Sequence, residues 1–527
     1  MPSLAKHTEP LGQRLAAHLL KRLTFAPTIG KIREAALKSP LEAVNDLFQI
    51  QSRSNNEPLD LWGLPWIVSG RTPQILGDKT LQFLQSWWYD EARQDFSIGH
   101  KMQFFLHTQF TASINGGREG YYYLALLRQY ALGNIKTLAL KIVTDNRMLD
   151  YLDNETNTAT SPNDNFSREF LELFTIGKGP QIADGDYTNY TEHDVEVAAK
   201  LLTGFRKSSK RDPDTGLPKG QPIFSAHDTT AKTFSHAFDY KTIQPATNGE
   251  EMLEELEEFV EMIFQKPATA KYICTKLYRF FVGVDITPEI EQDIITPLAE
   301  NLRYHNYELL PVLTQLFVSK HFYDLDDDDP TNQIIGGIIK SPVDLFVGLL
   351  SFFEVKMHNP RTRPREHYLV DYITRTWNPL HGGQKFSLFE PPTVAGYPAY
   401  HQAPAYHHHW FNTETYLARY SFSSTWLAIH NNSSVNPLDF VTKEGNFSDI
   451  SNPTTLVREM LSYAFSEIPN ENRFNYFLND VFLIGYSAYY WTGEWEKYLA
   501  TGNTSIVYGR LHALIRAIIR SQEFQVF

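Results

Sequence analysis

The sequence predicts a mainly α-helical, multi-helical globular protein whose helices are joined by irregular loops rich in proline, glycine and tyrosine. Apolar residues recur at spacings of three and four along most of the chain, which is typical of helices with one buried face. Alternating apolar and polar runs, which indicate strands, are scarce. A chain of 527 residues with 42% hydrophobic residues is long enough to bury one large core or two smaller ones.

The helical pattern begins at the N-terminus, where Leu11, Leu15, Leu19 and Leu23 form one stripe after Pro10. The same spacing returns at Leu81–Trp88, Ile98–Phe110, Tyr121–Leu132, Phe166–Phe174, Val195–Leu202, Met252–Phe264, Ala268–Phe281, Pro311–Val318, Val343–Phe353 and Leu511–Ile519. Irregular segments are predicted at Lys207–Pro222 and Asn359–Pro404, where Pro, Gly and aromatic residues interrupt the pattern.

An acidic run divides the sequence. Asp324 and residues 326–329 are aspartates, and Pro330 follows them. Like-charge repulsion next to a helix breaker predicts an acidic linker or loop over 324–333. We therefore expect an N-terminal helical lobe over 1–323 and a C-terminal helical lobe over 334–527.

Charge and cysteine content exclude several classes of function. The net charge of −13 opposes nucleic-acid binding, which needs Lys and Arg to neutralise phosphates. Cys274 is the sole cysteine and lies on an apolar helical face, which excludes an internal disulfide and predicts an inert core thiol. The sequence has neither an apolar run of about 18 residues nor a signal peptide. The default expectation is a cytoplasmic protein without a membrane span, and export stays open.

The densest group of polar residues starts on a predicted helix with Ser161 as its N-cap and Pro162 at its first position. Glu169 and Glu172 are three residues apart beside the apolar stripe of that helix, so both carboxylates lie on one flank. Such a pair can hold a divalent metal or act as general acid and base. The alternative is a solvated flank with an Arg168–Glu172 ion pair.

Further polar residues follow on both sides of this helix. Thr191 is a predicted N-cap with Asp194 three residues later, a pattern that helix capping alone explains. His227 and Asp228 with Lys232 follow a predicted loop, and adjacent His and Asp can supply two metal ligands or orient an imidazole. His107 lies on a helix that is apolar nearly all round, where a buried histidine with a protein partner is the alternative to a metal ligand.

A histidine and aromatic segment offers a different kind of site. His401, His407, His408 and His409 look like a metal tract, but consecutive side chains on regular structure point in different directions. The aromatic residues between Tyr397 and Trp410 predict, as an alternative function, a carbohydrate-binding surface.

Several of these segments resemble one family. Residues 163–177, NDNFSREFLELFTIG, are similar to the signature PNENFARELLELFTLG of the family called domain of unknown function 1800. Residues 190–195 resemble its YTExDV, residues 198–205 its ARALTGW, and His227, Asp228 and Lys232 its HDxxxK. Its opening AAHLLRRATFGPT is similar to residues 16–28, and its PPNVAGWP to residues 391–398. These blocks run in order from end to end of the chain.

The chain departs from the family pattern at three positions. Where the family typically reads FWHNHF, residues 105–110 keep the first histidine as His107 and have Gln109 in place of the second. A carboxamide is a poor substitute for imidazole on zinc, which weakens a two-histidine metal site here. Phe205 and Tyr397 stand where the family has tryptophan.

The resemblance implies which family the chain is related to, but it implies little about the activity of the protein. Its members are often encoded beside a second family, domain of unknown function 1501, that looks like exported sulfatases and alkaline phosphatases, so a sulfatase-like protein is the expected partner. Our leading hypothesis is a metal-dependent hydrolase-like enzyme acting on a cell-surface or polymeric substrate, with a divalent metal as cofactor. The rival hypothesis is a non-catalytic scaffold or partner protein in which the same residues are buried polar struts. The candidate catalytic residues are Glu169, Glu172, Asp194, His227, Asp228 and Lys232, and the candidate metal ligands are His107, Glu169, His227 and Asp228.

Overall fold

The structure is a computed structural model of the chain. It describes residues 2–50, 57–183, 185–327, 333–427 and 434–527. Helices make up 55% of it and strands 6%, which confirms the mainly α prediction.

The α-helices of the first half of the chain are α1 (Gly12–Leu23), α2 (Ile29–Ala36), α3 (Pro40–Leu47), α4 (Thr80–Ala92), α5 (Gly99–Gln109), α6 (Arg118–Gln129), α7 (Ile135–Val143), α8 (Asn146–Tyr151), α9 (Asn165–Glu169), α10 (Glu192–Leu201), α11 (Gly249–Gln265) and α12 (Pro267–Phe281). Those of the second half are α13 (Pro288–Ile290), α14 (Thr296–Tyr304), α15 (Leu309–Phe317), α16 (Pro342–Phe352), α17 (Thr374–Thr376), α18 (Pro398–His401), α19 (Tyr416–Thr425), α20 (Pro437–Thr442), α21 (Pro453–Ala464), α22 (Glu471–Asn475), α23 (Ala488–Thr501) and α24 (Ser505–Ile519).

Wider and tighter helical turns extend or connect these helices. π-Helix covers Phe170–Thr175, Glu291–Ile295, Glu366–Ile373, Trp377–Gly383 and Tyr476–Leu483. 3₁₀ turns cover Asn154–Thr156, Phe224–Ala226, His236–Phe238, His321–Tyr323, Tyr406–Trp410 and Glu523–Gln525. The strands form antiparallel two-stranded pairs: β1 (Gln181–Ala183) with β2 (Asp186–Tyr187), β3 (Phe205–Arg206) with β4 (Gln221–Pro222), and β5 (Lys232–Thr233) with β6 (Thr242–Ile243).

The chain forms two compact units, each made of separated segments. The first unit consists mainly of Lys101–Leu316 with Phe389–Gln402, and the second of Ala5–His100, Phe317–Leu388 and Ala403–Phe527. The N-terminal helix α1 belongs to the same unit as the C-terminal segments, and its buried Lys21 donates through Nζ to the carbonyl oxygens of Ala464 (3.1 Å) and Phe465 (2.8 Å). The division into lobes at 1–323 and 334–527 stays a prediction. In the two compact units, residues 5–100 belong with the C-terminal segments rather than with the rest of the predicted N-terminal lobe.

Part of the predicted acidic linker is visible. Residues 328–332 lie outside the described residues. Before them, the carboxylate of Asp324 accepts hydrogen bonds from the backbone N–H groups of Ile334 and Ile335 at 3.0 Å, and Asp326 lies 2.7 Å from Nδ1 of His321. These acids therefore make specific local contacts on either side of the loop.

Aromatic side chains contribute to the core of the first unit. Phe166, Phe170 and Phe174 lie along one helix. The ring centroid of Phe166 is 5.7 Å from that of Phe170 and 6.5 Å from that of Phe174. Phe170 also contacts Phe259 of α11 at 5.8 Å, and Phe174 contacts Phe110 at 5.8 Å. The apolar stripe predicted over Phe166–Phe174 thus buries its helix against α11 and the end of α5. In the described part of the chain, every helix is too short or too polar to cross a lipid bilayer.

Candidate functional site

The predicted site residues all belong to the first unit. The helix that carries Glu169 and Glu172 begins at Asn165, so the predicted start at Ser161 was wrong. Ser161 instead closes a tight turn by donating its backbone N–H to the carbonyl oxygen of Thr158 at 3.0 Å. The Asn and Asp residues of the loop favour such turns over an earlier helical start.

The helix changes from α to π geometry at Phe170, and the wider turn leaves carbonyl groups that side chains from other helices satisfy. The carbonyl oxygen of Leu173 accepts hydrogen bonds from the Tyr272 hydroxyl (3.2 Å) and the Lys276 ammonium (3.1 Å). Nε2 of Gln109 donates to the carbonyl oxygen of Phe174 at 2.6 Å. Gln109, which replaces the second histidine of the family pattern, therefore supports the π-turn.

Glu169 and Glu172 lie on one flank of this helix, as predicted, but their surroundings differ. The carboxylate of Glu172 accepts a hydrogen bond from the Tyr190 hydroxyl at 2.9 Å and pairs with Lys178 at 3.0 Å. In the described part of the chain the Glu169 carboxylate accepts no hydrogen bond. Burial, followed by the negative charge of Glu172, raises the pKa of Glu169 to about 7. One carboxylate of the pair is thus held by partners, while the other is half-buried and protonates near neutral pH.

The predicted ion pair between Arg168 and Glu172 does not form. Arg168 contacts Glu192 (2.7 Å) and Asp164 (2.8 Å) instead. These contacts tie the start of the helix to the first turn of α10.

Asp194 is fully buried and occupied by structural contacts. Its Oδ2 accepts hydrogen bonds from the backbone N–H and hydroxyl of Thr191, at 2.8 and 3.0 Å, which completes the predicted capping box of α10. It also joins α10 to a distant turn, since the hydroxyl (2.6 Å) and backbone N–H (2.7 Å) of Ser235 donate to its two oxygens. All four of these hydrogen bonds are accepted by one carboxylate, so Asp194 connects the start of α10 to the turn at Ser235.

His227 and Lys232 meet at a residue that the sequence analysis missed, Glu255 of α11. Nε2 of His227 lies 3.0 Å from Glu255 Oε2, and Nζ of Lys232 lies 3.0 and 3.1 Å from the two Glu255 oxygens. The side chains are 0% (His227 and Lys232) and 3% (Glu255) exposed. Nδ1 of His227 lies 2.9 Å from the carbonyl oxygen of Thr203.

This buried network, which we call the Glu255 network, consists of His227, Lys232 and Glu255. A signal for it exists in the sequence, because Glu255 interrupts the apolar stripe formed by Met252, Leu256 and Phe259. Asp228 lies beside the network but turns away from it. Its Oδ1 accepts from the backbone N–H (2.8 Å) and hydroxyl of Thr230. Burial opposes ionisation of Asp228, and these hydrogen bonds outweigh it and lower the pKa.

His107 lies apart from these groups on α5. It is fully buried, its Nε2 lies 2.8 Å from the carbonyl oxygen of Ala112, and its ring packs against Phe389 at 4.8 Å. Burial lowers the pKa of His107 to about 4, so the ring is neutral at physiological pH.

The predicted ligands do not gather around one point. Within residues 2–50, 57–183, 185–327, 333–427 and 434–527, no group of three or more His, Cys, Asp or Glu side chains is arranged to hold a metal ion. His227 and Lys232 come together, Glu169 and Glu172 come together, and Asp194, Asp228 and His107 each have separate surroundings. The assignment of catalytic and metal-binding roles to these residues stays a prediction.

The histidine and aromatic segment is only partly buried, and His401 and His408 are exposed. The rings of Tyr397 and Trp410 are 2% and 5% exposed. His407 is also buried, and its Nδ1 accepts a hydrogen bond from the backbone N–H of Ile339 at 2.9 Å. Tyr397 and Trp410 are therefore unsuited as stacking surfaces for a sugar.

Comparison with known families identifies relatives of the whole chain. The family model described as "Protein of unknown function (DUF1800)" matches residues 18–526. The chain belongs to this family. No curated protein and no solved structure matches the chain. This match confirms, over nearly the full length of the chain, the resemblance seen in the sequence motifs. The family description assigns no activity to its members.

Proposed function

We propose that this DUF1800 protein is a non-catalytic scaffold or partner protein whose polar motif residues hold its helices and loops in place. The observation that carries this proposal is the Glu255 network. A fully buried lysine and histidine share one carboxylate there, and each also bonds to backbone carbonyl oxygens. Such a network fixes the loop before β5 onto α11 with its polar groups satisfied.

The other motif residues support the same interpretation. Asp194 links α10 to Ser235, and Arg168 links the start of α9 to Glu192. The scaffold hypothesis named Arg168–Glu172 and His227–Asp228 as pairs. Arg168 pairs with Glu192 and Asp164 instead, and His227 pairs with Glu255. A carboxylate or imidazole that is fully engaged by protein donors and acceptors offers no lone pair to a metal.

Metal analysis of the purified protein, combined with unfolding measurements, separates the two hypotheses. The scaffold proposal predicts no stoichiometric metal and a large drop in melting temperature for Lys232→Ala. Lys210→Ala, at an exposed lysine, serves as the matched control and is expected to melt like the wild type. Near-stoichiometric zinc or another divalent metal that is lost in Glu169→Ala would instead support the metal-dependent hydrolase.

The sulfatase-like partner remains part of this proposal, because a scaffold protein acts by binding another protein. It rests on the resemblance alone. Co-expression of the two proteins followed by size-exclusion chromatography tests it, and separate elution of the two at micromolar concentrations would contradict it.

One observation favours a second candidate function, metal-independent acid–base catalysis at Glu169. Burial raises the pKa of its half-buried carboxyl to about 7, and it lies beside Glu172, which is ion-paired with Lys178. Groups with such a pKa are suited to proton transfer at neutral pH. Hydrolysis of polymeric or cell-surface substrates would then depend on pH near 7 and be lost in Glu169→Gln. Glu196→Gln on the exposed face of α10 is the matched control.

A further inference from the structure

An apolar surface of the second unit lies on the loop formed by residues 57–76, which we call the Trp62 loop. Trp62 is 64% exposed, Leu64 47% and Val68 62%. Three large apolar side chains exposed within seven residues are unusual for a surface in contact with water alone. The loop is thus a candidate contact surface for something apolar.

Two carboxylates hold the backbone of this loop in one shape. Asp60 is 0% exposed, and its carboxylate accepts hydrogen bonds from the backbone N–H groups of Trp62 (3.0 Å), Leu64 (3.2 Å) and Gln74 (2.9 Å). Arg71 pairs with the same carboxylate at 2.6 Å.

Glu57 fixes the backbone of the second half of the loop. Its Oε2 accepts hydrogen bonds from the backbone N–H groups of Ile67 (2.7 Å) and Val68 (2.9 Å). The exposed side chains are therefore presented by an ordered backbone, so little conformational entropy is lost when they bind.

The base of the loop is anchored separately. Leu59 belongs to a small buried cluster with Phe83, Tyr368 and Ile373. Its backbone N–H donates to the Tyr368 hydroxyl at 3.1 Å. The loop thus buries its own apolar residues at one end and exposes others at the tip, which indicates that the tip residues have a separate role.

Arginines lie in and beside the loop. Gly63 (φ 72°) packs so closely on the backbone of Arg361 that a Cβ atom at this position would lie 2.7 Å from the Arg361 carbonyl oxygen. The neighbouring segment therefore runs directly beside the loop, and it carries exposed Arg361, Arg363 and Arg365. The Arg71 guanidinium lies over the Trp62 ring, 5.9 Å from its centroid.

We propose that the Trp62 loop and the arginines at 361, 363 and 365 form a docking surface for a membrane that contains anionic lipids. Trp62, Leu64 and Val68 would enter the boundary between headgroups and acyl chains, where tryptophan is favoured, while the arginines contact lipid phosphates. The acidic groups of the loop do not oppose this arrangement, because Asp60 and Glu57 are engaged by backbone N–H groups and Arg71. An apolar tip of singly exposed side chains beside an arginine-rich segment suits a lipid surface better than a concave protein pocket.

Cosedimentation of the full-length protein with lipid vesicles tests the proposal. The protein is expected to bind vesicles of phosphatidylcholine with phosphatidylglycerol more strongly than vesicles of phosphatidylcholine alone, and the difference is expected to shrink in high salt. Trp62→Ser is expected to lower the partition coefficient at least about tenfold through loss of apolar burial. Arg361→Gln with Arg365→Gln is expected to lower it about fivefold per arginine, for the anionic vesicles only.

Tyr489→Ser provides the matched control, because Tyr489 is an 85% exposed aromatic residue elsewhere in the second unit. It is expected to bind vesicles like the wild type, and all variants are expected to keep the wild-type melting temperature. Absence of binding to both vesicle types, or equal binding by Trp62→Ser, would overturn the proposal. Capture of a soluble protein through Trp62 without vesicle binding would also overturn it.

Discussion

Glu255→Ala is expected to destabilise the first unit strongly. The change removes the carboxylate that pairs with Lys232 and His227, whose side chains are both 0% exposed, and leaves a buried ammonium without its counter-ion. Breaking a buried pair by deleting one partner costs about 3–5 kcal/mol. For a folding unit of about 200 residues this corresponds to a fall in melting temperature of about 6–20 °C.

A double variant tests the reason for this loss. Replacing a buried ion pair by apolar residues of similar volume is often neutral or stabilising. Glu255→Leu combined with Lys232→Met should therefore be more stable than the sum of the two single changes predicts, by about 1–3 kcal/mol. Differential scanning calorimetry and urea unfolding measure both quantities.

The matched control is Glu254→Ala, at the neighbouring exposed glutamate of α11, which is expected to change stability by less than about 0.5 kcal/mol. A loss for Glu255→Ala as small as that of the control would refute the reasoning. So would strict additivity of the double variant, because it would mean that Lys232 does not depend on Glu255.

Three further predictions concern single residues. Asp194→Ala is expected to cost about 1–3 kcal/mol in urea unfolding, because the N–H and hydroxyl groups of Ser235 lose their acceptor; a cost as small as that of an exposed cap would contradict its role as a strut. The folded pKa of Glu169 (about 7) lies above its usual 4.5, so the folded state binds more protons between these values and stability should fall as pH rises through this window. Glu169→Gln should flatten that part of the melting temperature profile, and an unchanged profile would contradict the burial of this group. Burial raises the pKa of the Cys274 thiol, so native protein should resist alkylation by iodoacetamide and react fully only in denaturant; rapid labelling of the native form would be the contrary result.

Local features of the fold could be predicted from sequence. The two residues of the capping box, Thr191 and Asp194, are three positions apart, and the stripe of Phe166, Phe170 and Phe174 depends only on helical spacing. Both are present in the structure. The start at Ser161 was wrong because a turn and a helix begin with the same polar residues.

The site could be predicted only in part. His227 and Lys232 were recognised as polar residues of interest, yet their partner Glu255 is on α11, more than twenty residues away, among six other glutamates of that helix. Gln109 could not be assigned its place under the π-turn, because the change of helical geometry at Phe170 depends on tertiary packing.

By itself, the sequence determined that the protein is mainly helical, which residues line its helical faces and which family it belongs to, since periodicity, caps and ordered motifs are properties of short stretches of chain. Only the tertiary structure decided that the imidazole and carboxylate groups of the motifs have separate surroundings, with Asp194 and His227 held by different partners. The pairing of a buried charge is set by which distant segment packs against it, and the cost of leaving such a charge unpaired selects the partner.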